Sequence, residues 1–585
     1  MSSEKPEPNL SEEHASPPSA SHHSDIEKHS HAHLDFNDHG FTTDQSALPK
    51  GYFTSSFFLG TLTATGLGLA AAVGGFGLAA PNLTLINADI GPDADIVWVS
   101  LVYTLTLAVG LILVGRLSDL FGRRWFFIGA AILALIGYVV SATAKSVGAL
   151  IGGTTTLIGL AASGQQSFAF ITGELVPMKY RFAANAVMYM FCLPFAGFGP
   201  AISEAFILHT SAGWRWSYYL MIIINAASGI LFYFFYYPPT FEAKFQGRTK
   251  TQQLKDFDYV GTVLFVAGFV LFLLGLSWGS SVYPWKSAHV ISMMAVGGVT
   301  IMAFALWEAY ANLKEPLLPV HLFKNVAWVA ACILLGLGAS VYYAMAIIWP
   351  QMVAVLYTDD GGASMYAAWL SCAPSVMINF GQIVAGFLAE PIGKTKFQCI
   401  TVLIIGGALL GAIASATPDT KDRATALIIL GSFFIGWNER VCLSNAGIEL
   451  LDQREIGTAV GAAGSIRSAI SSVASAVYLT VLSNRLAQTI PSVVPSAVVA
   501  AGLPSSSVPK FLRGFATGSF SGVEGLTDAI LAVGTQAYKT ASAQAYSTVF
   551  YTTIAFTGVA VVISFFSPNV DDKMTGEVAV TLGKE

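Results

Sequence analysis

From residue 54 onward the sequence is a succession of apolar stretches, each near the roughly 20 residues that a helix needs to cross a bilayer. Fourteen can be counted, at 55–80, 98–117, 125–144, 149–172, 183–207, 217–237, 258–279, 288–310, 326–348, 364–388, 397–415, 424–445, 457–482 and 546–566. Only 11% of all residues are charged and 54% are hydrophobic, whereas about 25% of a soluble domain is charged. We therefore predict an all-α polytopic membrane protein with fourteen transmembrane helices.

The short loops carry Lys and Arg unequally. If the amino terminus is cytoplasmic, the inner loops hold fourteen Lys and Arg and the short outer loops hold five. Because cytoplasmic loops carry the excess of cations, we predict that both termini are cytoplasmic. The long outer connection, 483–545, contains Pro491 and Pro495. We expect it to be an extracellular loop that lies on the membrane surface or packs as short helices.

A short charged segment, Gly115–Arg124, separates the second and third apolar stretches. Gly115 and Gly122 suit a chain reversal in which backbones approach closely. Asp119 is placed to accept hydrogen bonds from the free N–H groups that begin the next helix. The remaining charges, which mark a cytoplasmic loop, are Arg116, Arg123 and Arg124.

The same pattern recurs at Gly386–Lys394, 271 residues later, again after the second helix of a group of six. Parallel six-helix halves are a transporter architecture that places the substrate between the halves. The predicted organisation is a disordered tail (1–50), an amino-terminal six-helix half (51–240), two inserted helices (255–312), a carboxy-terminal six-helix half (324–567) and a cytoplasmic tail (568–585).

Gly115-x-Leu117-x-Asp119-x-x-Gly122-Arg123-Arg124 resembles the loop 2–3 signature of the major facilitator superfamily, and fourteen spans match its drug:H⁺ antiporter branch. Further motifs resemble the fungal trichothecene efflux pump group, which is related to siderophore-iron transporters. These are Gly173-Glu174-Leu175-Val176-Pro177, Gly213-Trp214-Arg215-Trp216 and Gly436-Trp437-Asn438-Glu439. The resemblance covers about residues 50–570 and implies export of small amphipathic compounds by proton antiport and alternating access.

The resemblance also implies a gate. Gly199-Pro200 matches the bend of antiporter helix 5. Asp119, Arg123, Glu174 and Arg181 would form a charged cluster on the cytoplasmic face that stabilises the outward-open state. The alternative is that the same charges only fix the orientation of the helices in the membrane. The chain departs from drug antiporters at Thr155, where an arginine is usual, and this argues against a proton relay through helix 4.

Ionisable residues inside a membrane are expensive and are functional candidates by default. Glu439 and Arg467 are the main candidates for proton coupling, with Glu204 as a third. A fixed Glu439–Arg467 pair that only joins two helices, and a solvated Glu204, are the alternatives. Arg440 follows Glu439 directly and is a candidate to neutralise it.

Polar and aromatic residues in otherwise apolar helices are candidates for the wall of a substrate cavity. For each of them, hydrogen bonding between helices or core packing is the alternative. The candidates are Gln165, Gln382, Asn225, Trp437, Tyr189 and Tyr342.

Rival functions remain open at this stage. They are a siderophore-iron importer driven by proton symport and a membrane receptor that binds without transporting. No Gly-x-x-x-x-Gly-Lys-Ser/Thr loop and no nucleophile–base pattern is present, so we expect neither an ATP-driven pump nor an enzyme. We expect no cofactor and no nucleic-acid partner. The expected partners are a small-molecule substrate, protons and membrane lipid, for a monomer in the plasma membrane, with the vacuolar membrane as the alternative.

Five of the histidines in the amino-terminal tail could bind a transition metal weakly: His22, His23, His29, His31 and His33. A solvated tail is the favoured interpretation. The five cysteines all fall inside apolar stretches, which predicts small buried side chains and no metal site.

Overall fold

A computed structural model describes residues 37, 39–238, 249–279, 282–359, 364–517 and 519–582. In its first half the helices are α1 (Ser56–Gly77), α2 (Leu83–Ile90), α3 (Trp98–Phe121), α4 (Arg124–Ala142), α5 (Val147–Ile151), α6 (Gly159–Gln165), α7 (Phe168–Leu175), α8 (Arg181–Cys192), α9 (Gly199–His209) and α10 (Arg215–Phe235). Helix α11 (Lys250–Asp256) precedes the inserted pair, α12 (Tyr259–Trp278) and α13 (Ala288–Tyr310).

The second half begins with the short helix α14 (Val320–Lys324). It continues with α15 (Val326–Met352), α16 (Met365–Ser371), α17 (Ala373–Ile392), α18 (Thr395–Ala412), α19 (Lys421–Ile448), α20 (Ile456–Ala500), α21 (Val508–Thr517) and α22 (Asp528–Ser564). The fold is all-α, as predicted, apart from one short strand pair within the described residues.

Long apolar helices account for most of the predicted spans. Twelve helices in the described ranges are long and apolar enough to cross a membrane, and the bent pair Met178–Gly197 and Gly199–His209 makes thirteen. The predicted count of fourteen is therefore not confirmed. The predicted span 149–172 falls on the short helices α5, α6 and α7, with a π-helical segment, Gly152–Ile158, between the first two. Thr155 lies in that segment.

Side-chain caps set where many of these helices begin. Ser55 accepts the backbone N–H of Phe58, and Asn325 accepts that of Trp328 in the same way. Asp258 accepts the Gly261 N–H at 2.9 Å. Such caps satisfy N–H groups that have no partner inside the helix.

The repeated glycines make equivalent contacts in the two halves. A Cβ on Gly115 would meet the Gly457 carbonyl at 2.4 Å, where α3 packs on α20. A Cβ on Gly386 would meet the Ala186 side chain at 2.4 Å, where α17 packs on α8. Gly122 and Gly393 both have positive φ, 91° and 67°, at the chain reversals that follow. The repeat thus marks a helix from each half that packs closely on the other half.

The inserted pair lies beside this interface. Leu273 and Leu276 of α12 pack against Ala108 of α3 and Ala476 of α20. Gly297 of α13 lets its backbone approach α12, because a Cβ there would meet the Phe272 nitrogen at 2.4 Å. The pair therefore stays on one flank of the bundle and leaves the centre to the two halves.

Helices α20 and α22 continue far into the predicted loop 483–545. Helix α20 has 45 residues, or about 67 Å at 1.5 Å per residue, roughly twice the 30 Å of a hydrocarbon core. Pro491 and Pro495 lie inside it. Val494, Phe511 and Ile530, which lie on α20, α21 and α22, belong to a separate small hydrophobic core. The segment is a helical extension with α21 packed on it.

The chain termini are partly ordered, which corrects the prediction of a disordered tail over 1–50. The histidine tract lies outside the described residues, but Thr43–Asp44 (β1) pairs antiparallel with Glu577–Val578 (β2). The Val580 N–H donates to the Glu174 carbonyl at 3.0 Å. Lys573 pairs with Glu449 at 2.8 Å. We call 568–582 together with β1 the terminal strap; it contacts both halves at the end of the bundle that carries Gly122.

Candidate functional site

The four charged residues predicted to form a gate lie together and are buried, with exposed fractions of 8% or less. The Arg123 guanidinium lies between two carboxylates, 2.6 Å from Asp119 Oδ1 and 3.2 Å from Glu174 Oε2. Arg181 donates to the Gln453 Oε1 atom at 2.8 Å and to the Gly173 and Gly447 carbonyls. We call Asp119, Arg123, Glu174 and Arg181 the gate cluster.

The gate cluster joins the two halves. Asp119 Oδ2 accepts the Thr458 backbone N–H at 2.6 Å and its hydroxyl at 2.9 Å. The helix whose free N–H it accepts is therefore α20 of the other half, where we had expected the next helix, α4. Arg181 on α8 reaches the end of α19 through Gly447. Arg116 binds Glu315 at 2.7 Å. The bundle is consequently closed at this end.

Arg124 does not join the cluster. Its guanidinium lies 3.9 Å from the centre of the Tyr237 ring and donates to the Tyr233 carbonyl at 2.8 Å. Both contacts remain within the amino-terminal half, at the end of α10.

Gly199 and Pro200 lie at a bend of 45° between α8 and α9, directly after the π-helical segment Leu193–Gly197. A Cβ on Gly199 would meet the Gly77 carbonyl at 2.8 Å, so the bend also permits close packing on α1. Near the bend, the Phe198 ring packs on Trp369 with 5.8 Å between ring centres. This places a contact between the halves at the end opposite the gate cluster.

A central cavity of about 110 Å³ lies between the halves. Its wall is largely aromatic and apolar, with a few polar groups. The aromatic members are Phe76, Tyr103, Phe168, Phe170, Tyr189, Tyr342 and Tyr343, and the polar members are Gln166, Ser167, Asn379, Gln382, Glu439 and Arg467. An apolar wall with few convergent polar groups is typical of small-molecule sites.

Glu439 is held from two directions. Its Oε1 accepts from Arg467 Nε at 2.8 Å, and its Oε2 accepts from Gln382 Nε2 at 2.9 Å. Glu439 is 2% exposed, and the Arg467 guanidinium lies 5.7 Å from the centre of the Tyr343 ring. Glu439, Arg467 and Gln382 come from α19, α20 and α17, so their bonds link three helices of the second half at the cavity wall.

Arg440 forms no ion pair with Glu439, whose carboxylate pairs with Arg467. Consecutive residues on a helix point in different directions. The Arg440 guanidinium lies over the Tyr189 ring of α8, with 4.2 Å between its Cζ and the ring centre. Arg440 is 1% exposed.

Four other predicted residues do not line the cavity. Gln165 donates to Asn225, which donates to the Ala131 carbonyl, so both join helices of the first half. Trp437 donates to Gln398 Oε1 at 3.0 Å. Glu204 lies on α9 and is half-buried. Tyr189, Tyr342 and Gln382 are the predicted cavity residues that do line it.

Comparison with known proteins decides the family. The model of the family "Fungal trichothecene efflux pump (TRI12)" matches residues 20–583. The chain belongs to the fungal trichothecene efflux pump family. The trichothecene efflux pump TRI12 of Fusarium sporotrichioides is 28% identical over 543 residues, covering 92% of this chain and 90% of that protein. Its namesake from Trichoderma arundinaceum is 30% identical over 404 residues, covering 68% and 67%.

Two solved structures share the fold. The major facilitator proton:xylose symporter XylE is 15% identical, with a TM-score of 0.50, and covers 91% of this chain and 99% of its own. The human organic anion transporter MFSD10 is 13% identical, with a TM-score of 0.52, covering 85% and 99%. At these identities the likeness shows the major facilitator fold alone. The protein is a multispanning membrane transporter of an efflux pump family and not an enzyme.

The Gly213-Trp214-Arg215-Trp216 motif of this efflux pump forms a clamp away from the cavity. Trp214 Nε1 and Arg215 Nη1 both donate to Asp89 Oδ2, at 3.0 and 2.7 Å. These two bonds hold the pKa of the Asp89 carboxyl below its ordinary value. Arg215 also donates to the Ala144 carbonyl. The motif therefore ties α10 to α2 and to the segment that directly follows α4.

No sequence pattern marks Tyr103 or Phe168 as cavity residues, and none separates Gln166 from Gln165. Gln166 directly follows Gln165, and the choice between them depends on which face of helix 4 points inward. No periodicity settled that face, because the helix is interrupted between α6 and α7.

Within the described residues no group of His, Cys, Asp and Glu has the arrangement of a metal site, and the five cysteines are buried and free.

Proposed function

We propose that the protein exports small amphipathic, toxin-like compounds in exchange for protons by alternating access, at the plasma membrane with both termini in the cytoplasm. The observation that carries the proposal is the Glu439 carboxylate at the wall of the central cavity, bound to Arg467 and Gln382. The charged residues that line this cavity are Glu439 and Arg467, and of these Glu439 is the one that can bind and release a proton near neutral pH. Relatives named trichothecene efflux pumps support export and the toxin-like class of cargo.

Protonation of Glu439 removes the negative charge that holds Arg467. Gln382 can serve both states of the acid, since an amide offers two donors and an acceptor oxygen. Its Nε2 donates to the carboxylate, while its buried Oε1 has no hydrogen-bond partner among the described residues. Rotation of the amide would turn that oxygen toward a protonated Glu439. The proton therefore changes which groups hold α17, α19 and α20 together.

Helices α19 and α20 also carry the gate partners. Glu439 precedes Gly447 on α19, and Thr458 precedes Arg467 on α20. At 1.5 Å per residue, each separation along the helix is about 12–14 Å. A rotation or tilt of either rigid helix at the cavity moves the bonds to Arg181 and Asp119 at the gate. Loss of the Glu439–Arg467 pair would thereby favour opening toward the cytoplasm.

The test uses purified full-length protein in liposomes with a trichothecene as the probe cargo and an imposed pH gradient. With an acidic interior, protons leave and an antiporter accumulates the probe inside. A proton symporter accumulates it only with an acidic exterior, and a receptor shows no gradient-driven flux.

The variant Glu439→Gln separates coupling from binding. We expect it to lose gradient-driven accumulation while retaining exchange of the probe at equal pH. Glu204→Gln is the matched control, because Glu204 is a carboxylate on α9 outside the cavity wall. Accumulation by Glu439→Gln equal to that of the unaltered protein would remove Glu439 from the coupling role.

A further inference from the structure

Arg440 is a buried cation that the proposed proton cycle does not use. It is 1% exposed, and its Nε, Nη1 and Nη2 atoms all lack a hydrogen-bond partner among the described residues. The guanidinium carbon lies 4.2 Å from the centre of the Tyr189 ring, and the Tyr189 side chain and Glu439 are its electrostatic neighbours. Tyr189 belongs to α8 of the other half and lines the central cavity. The guanidinium is thus separated from the cavity by one aromatic side chain.

Burying a charge is costly unless it is paired, and a cation–π contact replaces only part of the lost hydration. The nearest acid along the helix is committed, because Glu439 accepts from Arg467 and Gln382. With Glu439 ionised, Glu439, Arg467 and Arg440 together carry a net charge of one positive unit. Arginine has a planar set of donors that suits a carboxylate.

We infer that Arg440 binds an anionic oxygen group of the cargo, a carboxylate or an enolate, reached when the Tyr189 ring turns aside. This inference rests on the proposed transport function and adds to its substrate class aromatic or apolar compounds with one acidic group. The aromatic cavity wall receives the apolar part. The orphaned guanidinium receives the anion.

The position of Arg440 between α19 and α8 gives the pairing a further consequence. Closing the gate brings these halves together: Arg181 of α8 reaches Gly447, and Asn185 reaches Ser444 at 3.4 Å. Closing therefore takes Arg440 out of water. An anionic cargo compensates the positive charge of Arg440, whereas a transporter without cargo must bury that charge with no anionic partner. Arg440 thus makes gate closure depend on cargo, and it returns to water in the proton-loaded step.

The test compares two isosteric probes, 2-naphthoate and 2-naphthamide, at pH 7.5, where the first is anionic and the second neutral. Binding is measured by calorimetry on purified full-length protein, with no pH gradient. We expect the naphthoate to bind at least tenfold more tightly. Arg440→Gln should abolish this preference without weakening the amide, and Arg440→Lys should retain part of it. Arg124→Gln, which alters an arginine outside the cavity, should keep it in full.

A spin-label pair at Tyr180 and Leu451, exposed residues of the two halves at the gate end, reads out closure. Naphthoate should shift the pair toward the short distance in the unaltered protein and leave it unchanged in Arg440→Gln. Equal affinity for the two probes, or no binding of naphthoate, overturns the inference even if no variant folds. A preference without gradient-driven flux would instead reject the transport function and keep the anion site.

Discussion

Replacing Asp119 by Asn should open the gate cluster. The carboxylate accepts from Arg123 in its own half and from the N–H and hydroxyl of Thr458 in the other half. A neutral amide has one acceptor oxygen and directs its NH₂ group toward one of these donors. A hydrogen bond to a charged group contributes about 1.5–3 kcal/mol. We therefore expect the closed gate to lose about 2–3 kcal/mol, or roughly 30- to 150-fold in its equilibrium constant.

The fold should survive this change, because Arg123 retains Glu174 at 3.2 Å. The assay is pulsed electron spin resonance on labels at Tyr180 and Leu451, since the five native cysteines are buried and will not compete for label. Asp119→Asn should increase the long-distance population. Arg124→Gln is the matched control, because its contacts are with Tyr233 and Tyr237 in the same half. An unchanged distance distribution in Asp119→Asn, or the same change in the control, would refute the reasoning.

Three further predictions concern packing, the termini and pH. Gly115→Ala should impair closure and transport, since its Cβ would meet the Gly457 carbonyl at 2.4 Å, whereas Gly129→Ala, with nothing within 4 Å, should leave flux unchanged. Deleting 568–585 removes β2 and the Thr575 carbonyl that accepts the Lys179 N–H; hydrogen exchange at Lys179 should accelerate, and the spin-label pair should shift toward the open distance. Asp89→Asn should lower the melting temperature at pH 7 by an amount worth less than about 1 kcal/mol. Because the pKa of Asp89 is lowered in the folded protein, that contribution is present above the ordinary pKa of 3.8 and is lost as the pH falls below it, so the difference in melting temperature between the two proteins should shrink below pH 3.8.

Apolar length predicted the fold well, because a bilayer imposes a minimum number of apolar residues on every span. Apolar length did not predict where a helix is interrupted or how far it continues beyond the membrane. The stretch 149–172 is apolar enough, but its Gly- and Thr-rich start adopts a π-helical segment and the helix is divided. Pro491 and Pro495 favour a loop by composition, yet they lie inside α20. A proline removes one N–H donor without preventing a long packed helix from continuing around it.

The gate could be predicted only in part. The resemblance to the superfamily implies a cluster of Asp119, Arg123, Glu174 and Arg181, and the structure brings these residues together. Their partners in the other half, Thr458, Gln453 and Gly447, carry no charge and have no sequence signature. They act through a helix N-terminus, an amide and a carbonyl, and only the tertiary arrangement of two distant segments reveals them.

Glu439 and Arg440 show how far a sequence neighbour can mislead. Opposite charges at adjacent positions suggest neutralisation, but on α19 a step of one residue turns the side chain by about 100°, so the two cannot face the same neighbour. Glu439 points to Arg467 and Gln382 within its own half, while Arg440 points to Tyr189 across the interface. One charge is therefore fixed inside a half, and the other is buried at the interface between the halves. That geometry suits a proton-binding acid and a cargo-sensing cation on adjacent residues of one helix, each acting in a different step of the cycle.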